Sequence, residues 1–452
     1  MSNLLTVRST PRLAGASALL IVCVAPCVFG QTVTIPGSTR PYRAVFGGST
    51  TDPSVRHSFD VTASIEAANE KNDYTQSADS PSPLLRGGVY TGASAGLLYS
   101  WNTKNLQIAA NAAVNERYYT ESDEFTNAGN WVGIGFSTQV GERLRLSANH
   151  SLLYSPSYFY GLTPPTPLAV GAVTGADQMP IGDESVWVND TAASFSYGLT
   201  RRGWIEAVAS HRLSDFSADS GTGTNSDLRS YSVGGRYRQT LSRNTTLRLG
   251  YLYRQGTYGS YATTDSTQST AVHEIDTGVD YARSLSFTRR TSLDFSVGSA
   301  LVNPPISEGQ QQLVYRVVGD VGLTHEMGRT WRARIGYGRS VGFVEAFPEP
   351  VFADNVNVSL NGFFNRRTDL SVNGNMSNGD VGLSASRSRF RTWYGSTRIR
   401  MALNGTWALY GEYLYSYQDM GTAILVPSGI PSRLDRQSIR GGLTVWIPLL
   451  RR

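Results

Sequence analysis

"SLSFTRRTSLDFSV", Ser284 to Val297, holds the pattern that decides the fold. Apolar residues alternate with small or polar ones up to Phe287, Arg289 and Arg290 interrupt, and alternation resumes at Leu293, Phe295 and Val297. A period of two is the pleat of a strand with one apolar face, and a break of about three residues is a tight hairpin. The segment reads as strand, turn, strand. The same form recurs around Lys104, Arg143, Arg202, Arg243, Arg329, Arg367 and Gly405, making eight hairpins in all. A unit repeated at a spacing of roughly forty residues is an array.

Reading outward from the turns gives eighteen strands, among them 57–67, 188–200, 272–285, 355–365 and 437–448. The connections alternate strictly between these short turns and longer polar stretches. The long ones include "NEKNDYTQSADSPSPLLR", "TESDEFTNAGN", "EAFPEPV" and the proline-rich run from Pro156 to Ser185. A soluble sandwich or propeller has no reason to place every short turn at one end. A membrane barrel with an even strand number does. Strands of 11 to 14 residues also exceed the soluble mean of about five or six and reach the ~9 to 11 needed to cross a bilayer at a tilt. The expected fold is all-β: a transmembrane antiparallel up-and-down β-barrel of about 18 strands.

The chain of 452 residues opens with Arg8 and Arg12, followed by an apolar run to Gly30. This reads as a secretory signal peptide over 1–30, removed after Gly30. Residues 31–54 read as an irregular periplasmic lead or lumen insert, and 55–452 as the barrel. Both cysteines, Cys23 and Cys27, fall in the removable segment, so disulfides cannot hold the exported chain together. No later stretch is long and apolar enough for a membrane helix, so strands must do any crossing. Without Arg8 and Arg12, 38 basic residues face 35 acidic ones, a net charge of +3. That is too mild to point to nucleic acid.

The alternation assigns faces. Leu293, Phe295 and Val297 oppose Asp294, Ser296 and Gly298; Leu247, Leu249 and Tyr251 oppose Arg248 and Gly250; Trp331, Ala333, Ile335 and Tyr337 oppose Arg332, Arg334, Gly336 and Gly338. Lipid requires the apolar set outside and the polar set inside. The lumen-lining candidates are Arg143, Arg145, Arg236, Arg238, Arg248 and Arg254. Arg316, Arg332, Arg334, Arg398 and Arg400 follow, with Asp280, Asp320 and Glu412 as opposing acids. Two readings of this set stand side by side: an internal ladder of ion pairs that stiffens the wall, or a field that attracts anionic solutes. Trp101, Trp204, Trp331, Trp393 and Trp407 lie near strand ends and read as interfacial girdles, as do Tyr413, Tyr415 and Tyr417.

Enzymatic chemistry finds no support. His150 and Ser151 are adjacent and point oppositely, Ser214 follows His211 by three residues, and the remaining histidines show no metal-ligand spacing. Neither a cofactor nor a metal is expected.

The last strand, "QSIRGGLTVWIPLLRR", places Arg440, Gly442, Val445 and Ile447 in a pattern that resembles the terminal signal read by the outer-membrane barrel assembly machinery. It departs from the usual terminal aromatic by ending in Pro448 to Arg452. Size and arrangement resemble outer-membrane barrels of the Gram-negative exopolysaccharide-export and alginate-export type. That resemblance implies export of an acidic polysaccharide through an arginine-rich lumen in the outer membrane. Its implied partners are lipid and lipopolysaccharide, the assembly machinery, and polysaccharide synthesis or export proteins. The alternative is a general or anion-selective diffusion porin, with the Pro156–Ser185 segment folded inward as a constriction. A structural or adhesive barrel acting through its long loops is a third reading.

Overall fold

A computed structural model of the chain describes residues 56–74, 87–120, 124–155, 185–217, 227–242, 244–259, 268–281, 283–284, 291–303, 313–328, 330–344, 350–382, 388–421 and 432–451. The expected signal peptide, the 31–54 lead and residues 156–184 of the longest connection lie outside the described residues. In chain order the strands begin with β1 (His57–Tyr74), β2 (Gly88–Asn102), β3 (Leu106–Tyr119), β4 (Glu124–Val140), β5 (Leu144–Ser155) and β6 (Ser185–Gly198). Next come β7 (Gly203–Ser217), β8 (Leu228–Ser242), β9 (Thr245–Tyr258), β10 (Gln268–Tyr281), β11 (Arg283–Ser284), β12 (Thr291–Asn303) and β13 (Val314–Met327). The last are β14 (Trp331–Gly342), β15 (Val351–Phe363), β16 (Thr368–Val381), β17 (Ser388–Ala402), β18 (Trp407–Asp419) and β19 (Arg433–Arg451). No helix occurs among the described residues.

Apart from β10 and β11, which run in line, every strand pairs antiparallel with its neighbours in sequence, and β1 pairs with both β2 and β19. The sheet is therefore closed and leaves no edge in lipid, where each unpaired backbone group would cost several kcal/mol. β11 continues the line of β10 along the same neighbour, β12, so the barrel has eighteen staves. At the seam, Pro448 stands opposite Asp60 where the register shifts between Phe59 and Asp60. A proline inside a strand has no N–H to donate, and a bulge accommodates it.

All eighteen expected strands are present, and the eight hairpins join the pairs expected. Their tightness has a local cause. The Asn365 side-chain oxygen accepts from the backbone N–H of Arg367 and Thr368 at 2.8 and 2.9 Å, and that of Asn404 does the same for Thr406 and Trp407 at 2.8 and 2.9 Å. Two other turns use Gly141 and Gly328, at φ of 64° and 65°. That left-handed conformation costs glycine nothing. The strands overrun expectation at the opposite end: Asn69–Tyr74, read from sequence as loop, pairs with Ile439–Leu434, and β4 starts at Glu124 within the expected "TESDEFTNAGN" loop. The Asn69–Tyr74 extension alternates poorly because polar residues sit on both faces, as suits a strand that has left the bilayer.

The faces sort as lipid demands. Leu249 is 56% exposed and Ile439 67%, whereas their strand neighbours Arg248 and Arg440 are 2% and 3% exposed. Charge is inside and hydrocarbon outside, the inverse of a soluble core. Outward aromatics mark the two ends of the apolar band. Trp407 and Tyr417 bracket β18, and Trp331 lies over Gly362, edge-on to Phe364 with centroids 5.2 Å apart. Trp101 stacks on His57 at 5.5 Å, and Trp393 is exposed beside Tyr417. Trp204 departs from the girdle reading. It alternates with exposed Ile205 and packs on Gly198, which puts its ring on the inner face. Nearness to a turn places a residue along the strand and leaves its face to parity.

Near the long-loop end β14 parts from β13 while staying paired with β15 as far as Gly342–Val351. Its pairing with β13 stops at Gly319–Arg339, while both strands run on. Val341 packs with Val272, Ala300, Val302 and Val318 of β10, β12 and β13, and its carbonyl accepts from Arg254 Nη1 of β9 at 3.1 Å. Phe343 reaches Gly256 on β9, where an added Cβ would lie 2.5 Å from the ring. Residues 341–344 thus fold inward across the luminal face of β9 to β13.

Candidate functional site

A barrel of 16 to 18 strands is wide enough to enclose an aqueous channel, so the luminal face is the candidate site. Alternation and register decide which side chains it receives. Its charges fall into separate groups.

The first group holds the seam. Arg436 of β19 is ion-paired with Glu70 of β1. Lower on the same strand, Arg440 meets Glu412 of β18 at 2.5 Å and Glu66 of β1 at 3.7 Å. Glu412 also accepts from Arg398 of β17 at 2.8 Å, and Tyr410 donates to Glu66 at 2.5 Å. Arg451 and Asp60 add a third contact between β1 and β19 at 3.5 Å. Beside this network Arg400 pairs with Asp369 at 2.7 Å.

The second group lies across the lumen. Glu206 of β7 sits between Arg238 at 3.0 Å and Arg236 at 3.7 Å, both on β8. Arg248 pairs with Asp280 at 2.7 Å, and Arg254 with Glu274 at 2.6 Å. Asp320 accepts from the Ser296 hydroxyl. The Arg316 guanidinium lies 5.2 Å from the ring centroid of Phe352. Buried guanidinium and carboxylate groups need partners because desolvation is costly, and cross-strand neighbours supply them.

Four of the sequence candidates stand apart. Arg143 and Arg145, on one side, and Arg332 and Arg334, on another, are exposed and make no ion pair among the described residues. All four sit at the short-turn end, Arg143 in the turn itself, where its carbonyl accepts from the Gly198 amide at 2.8 Å. Of the assembly-signal positions, Arg440 is luminal, Gly442 shares its parity, and Ile447 is exposed on the outer face with Val445 of like parity.

One part of the lining is almost free of charge. In "DNVNVSLNGF" (Asp354–Phe363) and "LSVNGNMSN" (Leu370–Asn378) the apolar partners face lipid, and the alternate positions face inward. The register pairs Asn355 with Ser377, Asn357 with Asn375, Ser359 with Asn373 and Asn361 with Ser371. The luminal face of β15 and β16 is therefore a ladder of amides and hydroxyls. Asp369, at the short-turn end, is its one charge. A period-two run of asparagine was the available signal.

At the long-loop end the lumen narrows. A cluster of buried apolar side chains joins Val186, Val188 and Phe216 of β6 and β7 with Val344, Val351, Phe390 and Met420 from the far side of the ring. The expected constriction by residues 156–185 lies almost wholly outside the described residues, and residues 341–344 supply an inward segment that the sequence did not mark.

His150 and Ser151 are not brought together. His150 faces outward and contacts Thr191 at 3.0 Å, while Ser151 takes the opposite face. No three potential metal ligands cluster among the described residues.

No family model matches the sequence, and no curated protein is similar to it. Three solved structures illustrate the likeness of architecture. Pseudomonas aeruginosa OpdL gives a TM-score of 0.43 at 10% identity, over 87% of this chain and 99% of that one. Pseudomonas aeruginosa OccK2, solved in complex with glucuronate, gives 0.44 at 9% identity, over 87% of this chain and 98% of that one. The FrpB iron transporter from Neisseria meningitidis gives 0.45 at 9% identity, over 87% and 81% respectively.

Proposed function

We propose that the chain is an outer-membrane diffusion channel for small polar solutes, inserted with its short turns in the periplasm and its long connections outside. One observation carries the reading: the closed wall is apolar outside and polar inside, and most luminal arginines are matched by a carboxylate on a neighbouring strand. Paired charges stiffen a wall and leave little net field, so passage rests on hydration and size. The assembly machinery and outer-leaflet lipopolysaccharide are the partners such a barrel requires.

A second reading, export of an acidic polysaccharide, draws on the exposed arginines Arg143, Arg145, Arg332 and Arg334 at the short-turn end, where a polymer made inside the cell would enter. Planar-bilayer recording with purified barrel separates the two. A steady ion conductance with weak charge selectivity supports the diffusion channel. A small conductance blocked from the periplasmic side by acidic oligosaccharide supports export. No conductance from a folded barrel would refute both and leave a structural or adhesive role.

A further inference from the structure

The amide and hydroxyl ladder on β15 and β16 is more than filler between charges. Asparagine both donates and accepts through one planar group, and serine does so through its hydroxyl, so the ladder matches a ligand with the same duality and no charge. Neutral polyhydroxylated solutes have that chemistry. Toward the short turns Arg332 and Arg334 stand opposite Asn361 and Ser359, but the half nearer the long loops, Asn355 and Asn357 with Asn373, Asn375 and Ser377, has only Gly336, Gly338, Thr392, Tyr394 and Ser396 as cross-strand neighbours, so an anion there would shed water without meeting a cation.

The ladder is accessible along most of its length. Asn357, Asn361 and Asn373 are exposed toward the lumen. On the β14 side it is bordered by Gly336, where a Cβ would lie 2.6 Å from the Asn357 amide oxygen, so the missing side chain lets that amide lie flat along the wall. On the β17 side the register sets Tyr394 beside Asn375, adding a flat ring with a polar tip.

A second observation is independent of the pattern. At the long-loop end of the ladder the cross-strand partners Asn355 and Ser377 are 9% and 0% exposed, yet neither Asn355 Oδ1 nor Ser377 Oγ has a hydrogen-bond partner. Asn375 Oδ1 is likewise buried and unsatisfied. Orphaned buried acceptors are costly to keep, at roughly 1–3 kcal/mol each, and persist where something else completes them. Three of them on one luminal ladder suit a guest's hydroxyl donors.

Building on the channel reading, we infer that the half of the β15–β16 wall nearer the long loops, from Asn357 and Asn373 to Asn355 and Ser377, is a binding track for neutral oligosaccharides, with the luminal arginines of β14 and β17 lying toward the short turns. The test is block of single-channel current by maltohexaose, with hexagalacturonate as the charged comparison. Wild type is blocked by maltohexaose in a concentration-dependent way. The triple variant N357A, N373A and N375A keeps its conductance and its response to hexagalacturonate but binds maltohexaose about tenfold more weakly, the worth of one or two hydrogen bonds. Asn357→Ala alone, at an exposed position, shifts block in the same direction and serves if the triple variant fails to assemble. Equal maltohexaose block in wild type and variants, or wild-type block by hexagalacturonate only, would overturn the track while leaving the channel standing. Absence of any conductance would overturn the channel and the track with it.

Discussion

Arg436 and Glu70, both buried, form an ion pair across the seam where the last strand meets the first. Arg440 with Glu66 and Arg451 with Asp60 repeat the contact at two further heights. A buried pair of this kind is weak evidence of net stabilisation, but loss of one partner strands a charge and costs about 3–5 kcal/mol. Glu70→Ala should therefore lower the urea midpoint of the barrel in detergent substantially. The double variant Glu70→Met with Arg436→Met should recover most of the loss. If Glu70→Ala unfolds with the wild type, the pair is a spectator of closure.

Phe343 and Gly256 make a similar test of the inward segment. The ring occupies the space a side chain at Gly256 would need, with 2.5 Å to the nearest ring atom. Gly256→Val should expel Phe343 and loosen residues 341–344 from the luminal face of β9, raising single-channel conductance. Arg254 would still pair with Glu274, so the wall itself should hold. An unchanged conductance would mean that the segment does not narrow the path.

How much of this was legible follows from the membrane. Inside the bilayer each strand must present hydrocarbon on every second residue, so the periodicity of "TLRLGYLY" or "TWRARIGY" is strict and all eighteen strands could be read. Above the bilayer both faces meet water, and the rule lapses at Asn69–Tyr74. Pairing of luminal charges was illegible for a different reason. Arg440 and Glu412 are 28 residues apart, and only the register of β18 on β19 brings them together. The asparagine ladder is legible in the sequence as a period-two run, although no charge marks it. Nothing in "GRSVGFVEAF" distinguishes a segment that folds inward from one that folds out.

Leu249 and Arg248 test the assignment of faces. They are neighbours on β9, the one exposed outside and the other buried inside. A charge on the lipid face near the midplane costs about 2–4 kcal/mol. Leu249→Arg should thus reduce the yield of folded barrel in phospholipid vesicles, read as heat-modifiable mobility in electrophoresis, far more than Leu249→Ala does. Equal folding of the two would place Leu249 away from lipid.

Arg332 and Arg334 give the sharpest test of what the lumen's charge does. Unlike Arg248 or Arg254 they form no ion pair among the described residues, and both are exposed at the short-turn end. Replacing both by serine removes two positive charges that form no ion pair among the described residues, and the one acid opposite them, Glu326 across from Arg332, is exposed to water, so stability should barely change. Ion selectivity should: the reversal potential in a salt gradient ought to move toward cation preference, and more at low salt, where screening reaches over ~30 Å at 0.01 M instead of ~10 Å at 0.1 M. The control is Arg400→Ser, which breaks the pair with Asp369. It leaves a bare carboxylate and should move selectivity the same way while also destabilising the fold. If the double variant keeps the wild-type reversal potential at low salt, the exposed arginines lie off the conduction path and the export reading loses the observation that favours it.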